Sequence, residues 1–206
     1  AARWENATGS SLPEPAGERR AATGDCWPKG VKVRGEAIEC CLARTWVPPD
    51  GGKATREVEQ LFLDMIAGAR RSIYIENQYF TAPTVADALA ERLAETDGPE
   101  IVLVLPAHTS GWLEQATMEM RRKQLLQQLV NKDVNGRLLV VAPVSDELGD
   151  KTINVHSKVM VVDDRWLRIG SANLSCRSLG LDSECDIVVE DPEGDVAAEL
   201  RADLIA

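Results

Sequence analysis

From residue 55 onward the apolar residues change period repeatedly, and this alternation constrains the fold more than any other feature of the chain. Thr55 to Ala69 places Val58, Leu61, Phe62, Met65 and Ile66 at helical spacing, with Thr55 as the N-cap. Ser72 to Phe80 reads as a strand, Val85 to Ala94 as a helix entered through Pro83, and Glu100 to Leu105 as a buried strand. A long amphipathic helix runs from Ser110 or Gly111 to Asn131, with Leu125, Leu129 and Val130 on its apolar side. Arg137 to Ala142 is the next strand. Val155 to Asp163 and Trp166 to Ile169 form a hairpin around Asp164–Arg165. Cys185 to Glu190 adds a strand and Val196 to Ile205 a closing helix. This order predicts an α/β domain, a mixed β-sheet flanked by helices on both faces.

The start of the chain behaves differently. Residues 1–35 hold Pro13, Pro15 and Pro28 among glycines and serines, with no apolar period. The expected organisation is an extended arm or linker over residues 1–52, with a possible strand at Glu36 to Trp46, and a domain over 53–206. Trp4 and Trp27 are expected to tether the arm to a surface. The first methionine is Met65, so the chain is expected to be a piece of a longer protein. No signal segment opens it, and its apolar runs fall far short of the roughly 20 residues that span a bilayer. The expected location is the cytoplasm, with no more than peripheral contact with a membrane.

The net charge is −10 over 206 residues, which argues at first against polyanionic partners. Its distribution weakens that argument. Residues 1–52 carry seven basic and seven acidic residues. From Asp182 onward there are nine acidic residues against Arg201 alone, so this end holds −8 of the total. The middle of the chain is close to neutral. The five cysteines form no C-x-x-C pair and neither histidine stands near them at zinc-ligand spacing. Cysteine use is therefore uninformative about metals, and no cofactor is expected.

The chemistry concentrates between Asn154 and Asn173. If Val155 to Asp163 is a strand, His156 and Lys158 share one face, roughly 7 Å apart. An ammonium and an imidazole at that spacing suit the oxygens of one phosphate, the first for charge and the second for proton transfer or attack. Asp163 lies an odd number of residues from both, so it points the other way and is expected to hold the hairpin. Gly170 lets the backbone approach a ligand, and Ser171 and Asn173 offer neutral hydrogen bonds to an anion. Glu184 is a candidate carboxylate partner for the far nitrogen of His156.

The pattern H-x-K-x4-D-x6-G-S-x-N, formed by His156, Lys158, Asp163, Gly170, Ser171 and Asn173, resembles the HKD signature of the phospholipase D superfamily. A second stretch, Ile75-Glu76-Asn77-Gln78-Tyr79-Phe80, resembles the block that precedes the second such motif in two-lobed members. The similarity runs from about Arg56 to Asp191. It implies one lobe of that fold, a phosphodiester substrate, and a metal-free, two-step reaction through a phosphohistidine. Two motifs meet at one site in the family, whereas this chain has one. His108 has no lysine two residues on and is expected to be a loop or helix-entry residue. The resemblance therefore implies that His156 acts as general acid and base, with the nucleophile in a missing N-terminal lobe. In a homodimer, two copies of His156 would share both roles. Lys158 and Asn173 would hold the phosphoryl oxygens, and Glu184 would bond the histidine. Gln78 and Asn77 would line the site or hold the fold, while Tyr79 and Phe80 are expected in the core.

The leading expectation is hydrolysis of phospholipid head groups or transfer of phosphatidyl groups. A nuclease of the same superfamily ranks second, because the one dense basic cluster, Arg121, Arg122 and Lys123, lies within a helix and makes no stripe for a nucleic-acid backbone. A lobe without turnover unless paired is the third.

Overall fold

The computed structural model describes residues 2–13, 30–31, 33–36, 38–108, 112–149 and 152–205, and of residues 2, 3 and 112–117 the backbone alone. Trp27 lies outside them. The chain divides into two compact units, Ala1–Arg34 and Gly35–Ala206. In the first, α1 (Ala2–Thr8) occupies part of the segment read as an extended arm. Its Trp4 is 44% exposed.

In the second unit an eight-stranded mixed sheet forms the centre. Its strands are β1 (Glu39–Trp46), β2 (Thr55–Arg56), β3 (Ser72–Asn77), β4 (Glu100–Val104), β5 (Leu138–Val141), β6 (Lys158–Val162), β7 (Trp166–Gly170) and β8 (Glu184–Glu190). They lie side by side in the order β2-β1-β8-β7-β6-β3-β4-β5. Parallel pairing joins β3, β4 and β5, and antiparallel pairing joins the rest. The helices are α2 (Glu57–Gly68), α3 (Pro83–Ala94), α4 (Trp112–Lys132), α5 (Cys176–Gly180) and α6 (Asp195–Ile205).

Period-2 alternation sends Ile73, Ile75, Met160 and Val162 to one sheet face, where they pack with Phe62 and Ile66 of α2, Leu89 and Leu93 of α3 and Leu125 and Leu129 of α4. The opposite face carries Tyr74, Val159, Val161 and Leu167 against Ala197 and Leu200 of α6. Each large apolar side chain buried this way stabilises the fold by roughly 1.5–3 kcal/mol.

Four sequence expectations shift. The strand at Glu36 to Trp46, grouped with the arm, belongs to the sheet, because β1 pairs with β8 along its length. Thr55 does not cap α2; it pairs with Trp46 in β2. Val130 is 56% exposed, although Leu125 and Leu129 are buried. The hairpin turn centres on Asp163 and Asp164, with φ of 57° and 58°, and the Arg165 N–H donates to the Val162 carbonyl. Aspartate tolerates that left-handed geometry better than most residues.

Candidate active site

Apart from Asp163, the motif residues gather at one edge of the sheet, where β3 and β7 end and β6 and β8 begin. Asn77 pairs with Lys158, and Gly170 with Asp186, two residues after Glu184. Four strands distant in sequence thus bring one row of polar side chains together.

His156 is exposed and precedes β6, which starts at Lys158 rather than Val155. Strand alternation therefore does not place the imidazole. Instead Lys158 folds back, and its Nζ donates to the His156 carbonyl (2.7 Å) and to Gln78 Oε1 (3.3 Å). The lysine is buried, and burial pushes its pKa below the ordinary value. The charge of Glu184 opposes that shift and the charge of Arg168 adds to it. Among the described residues the ammonium thus has oxygen partners but no ion pair.

Glu184 accepts from Ser171 Oγ at 2.5 Å, and Ser171 Oγ in turn accepts from the Cys185 N–H (3.1 Å). The Glu184–His156 hydrogen bond implied by the resemblance is not formed among the described residues. Asn77 is fully buried and works within the fold. Its Oδ1 accepts from the N–H groups of Leu174 and Tyr79, both at 3.1 Å, and its Nδ2 reaches the Ala172 carbonyl at 3.5 Å. Phe80 is buried and Tyr79 half-buried.

The turn from Gly170 to Leu174 is held from several sides. The Ser171 N–H donates to the Cys185 carbonyl, and the Leu174 carbonyl accepts from Thr81 and Ala82. A Cβ at Gly170 would collide with the carboxylate of Asp186, so the position requires glycine. Asn173 is the exception. Its Oδ1 is buried with no partner among the described residues, a state that costs about 1–3 kcal/mol and calls for a functional reason.

Asp163 stands at the far end of β6. Its Oδ2 accepts from the Arg70 N–H (2.8 Å), and its Oδ1 from those of Arg71 (2.7 Å) and Ser72 (2.8 Å). It ties the hairpin to the start of β3.

Sequence reasoning missed Arg168 and Asp186, which form a fully buried ion pair beneath the Gly170–Leu174 turn. A signal for them exists. Period-2 alternation puts a base in Trp166–Gly170 and an acid in Glu184–Glu190 at inward positions, where unpaired charges are not tolerated.

Comparison with known proteins gives this arrangement a family. The family profile described as "Cardiolipin synthase, PLD-like domain" matches residues 62–205. The chain belongs to the phospholipase D superfamily. It is 26% identical over 174 residues to phospholipase D A of Dictyostelium discoideum, covering 68% of this chain and 14% of that protein. It is 27% identical over 143 residues to a protein described as probable cardiolipin synthase YwiE of Bacillus subtilis, covering 69% and 25%. The chain thus spans a quarter or less of these two relatives. The fold matches the phospholipase D family member Nuc from Salmonella typhimurium with a TM-score of 0.58, at 18% identity, over 80% of this chain and 90% of that one. It also matches phosphatidylserine synthase of Haemophilus influenzae with a TM-score of 0.61, at 17% identity, over 79% and 37%. Among the described residues, no helix is long and apolar enough to cross a membrane.

Proposed function

We propose that this chain is one lobe of an enzyme that cleaves phospholipid head groups or transfers phosphatidyl groups, through a phosphohistidine formed on a second motif-bearing lobe. The observation that carries this reading is the gathering of Lys158, Asn173 and the exposed His156 at one sheet edge, with the buried Asn173 Oδ1 lacking a partner among the described residues.

In this reading the Lys158 ammonium and the Asn173 Nδ2 donate to the phosphoryl oxygens and stabilise the charge that builds up at the transition state. A histidine of the second lobe attacks phosphorus. The P–N bond forms as the P–O bond to the head-group alcohol breaks, and protonated His156 gives that oxygen its proton. Neutral His156 then takes a proton from water, whose oxygen displaces the histidine from phosphorus and breaks the P–N bond. An acceptor alcohol in place of water yields transfer instead of hydrolysis. The second lobe is either a further part of the same polypeptide or a second copy of this chain. Exposed Leu42, Ile187 and Ile169 stand in one row across the sheet, next to Asp186 and Gly170, which supports a contact with another lobe at this edge.

A nucleic-acid substrate fits less well. Arg122, in the one dense basic cluster, is turned inward, donating to the Pro106 and Ala107 carbonyls and pairing with Glu119. The remaining cluster gives no continuous stripe for a phosphate backbone.

The test is head-group release from phosphatidylcholine and phosphatidylglycerol vesicles by the full-length protein. His156→Ala is expected to lose about 10³-fold in turnover while staying folded, because the side chain is exposed. Unchanged release in that variant would sink the assignment.

A further inference from the structure

Arg168 and Asp186 lie outside the motif, yet both side chains end on the residue between its serine and its asparagine. Arg168 Nε and Nη2 both donate to Asp186 Oδ2, the former at 2.9 Å. Nη2 also donates to the Ala172 carbonyl at 3.0 Å, and the Ala172 N–H donates to Asp186 Oδ1 at 3.2 Å. Both side chains are fully buried, and the guanidinium lies 4.3 Å from the ring centroid of Phe62.

An ion pair in this place is hard to explain by stability alone. Desolvating each charge costs several kcal/mol, and an apolar pair of similar volume often serves a fold as well or better. An apolar pair, however, offers neither the donor for the Ala172 carbonyl nor the acceptor for its N–H. Those are the two groups that set the course of the chain between Ser171 and Asn173. Displacements of well under 1 Å matter for groups that must meet a transition state.

We propose that Arg168 and Asp186 are positioning residues for the phosphoryl-binding turn, holding Ala172 by both backbone groups so that Ser171 and Asn173 face the substrate. The inference rests on the phosphodiesterase reading of the same edge. The absence of a Cβ at Gly170 is part of the device, since it admits the Asp186 carboxylate beneath the turn.

The test is the double variant Arg168→Met with Asp186→Ala in the full-length protein, which leaves no lone charge buried. Its kcat is expected to fall at least tenfold with KM changed less than threefold, and amide exchange in the peptide spanning Ser171 to Leu174 to speed up about tenfold. Arg201→Met, which removes the paired bonds to Asp164 at the far end of the hairpin, is the control and leaves both readouts unchanged. If the double variant fails to fold, Arg168→Lys keeps the charge but not the forked geometry, and the same fall in kcat is expected. A kcat within twofold of the parent, or unchanged exchange at Ser171–Leu174, overturns the proposal. In a protein whose head-group release does not depend on His156, the functional reading fails by itself, and exchange in the turn then decides whether the pair holds it.

Discussion

The β6–β7 hairpin ends differently at its two extremities, though one motif supplies both. At the Asp163 end the carboxylate is used up: three backbone N–H groups donate to it, and the Arg71 guanidinium donates to its carbonyl. At the Gly170–Leu174 end the backbone is held as firmly, by Asn77, Arg168, Asp186 and the carbonyl of Cys185. There the Asn173 side chain keeps an acceptor that has no partner among the described residues. The difference teaches that the pattern divides into residues that make the frame and residues that the frame leaves open. The proposed chemistry belongs to the open end.

The strongest way to break this comparison is to remove the open groups. Asn173→Ala and Lys158→Met are each expected to cost about 10²-fold in kcat for head-group release, as loss of one preorganised donor does elsewhere. Steady-state kinetics on the full-length protein reads the effect. Asp163→Ala should do the opposite. It removes the acceptor of three N–H groups and is expected to destabilise by about 3 kcal/mol, a Tm fall of about 6–12 °C in calorimetry, with turnover per folded molecule kept.

The pH dependence sharpens the same point. In the proposed role Lys158 would hold the phosphoryl oxygen only when charged, and burial lowers its pKa. The alkaline limb of activity is therefore expected below the ordinary lysine range near 10.4, activity falling as pH rises through it. Glu184 opposes that shift, so Glu184→Gln moves the limb to lower pH in a pH–rate profile. The smallest effect lies beside the site, where burial raises the pKa of Glu76. Its folded form favours the proton, so stability is fullest below the ordinary carboxylate range and falls as pH rises through the raised value. Glu76→Gln is expected to raise Tm by about 1–2 °C at pH 7 and by nothing at pH 3.

Much of this was readable in the chain. Helical spacing at Val58, Phe62 and Ile66 and alternation in Ile73–Ile75 and Met160–Val162 placed the layers, because burial of those side chains dominates the folding energy. The motif residues were legible as a set. What the pattern did not reveal depends on partners far apart in sequence. His156 leaves the strand while Lys158 turns back onto its carbonyl, a bond that no periodicity predicts. Thr55 and Arg56 join a strand because Trp46 and Thr45 stand opposite them. Glu184 meets Ser171 and not His156, since β8 and the turn after β7 adjoin at that edge. Arg168 and Asp186 are 18 residues apart and become partners only through strand pairing.

The division between frame and open end is tested most directly by one measurement. This is turnover per folded molecule in the full-length protein carrying Asp163→Ala, run beside Asn173→Ala. The account predicts a rate within about threefold of the parent for the first, and about a 10²-fold loss for the second. Equal losses in both, or a loss confined to Asp163→Ala, would contradict it.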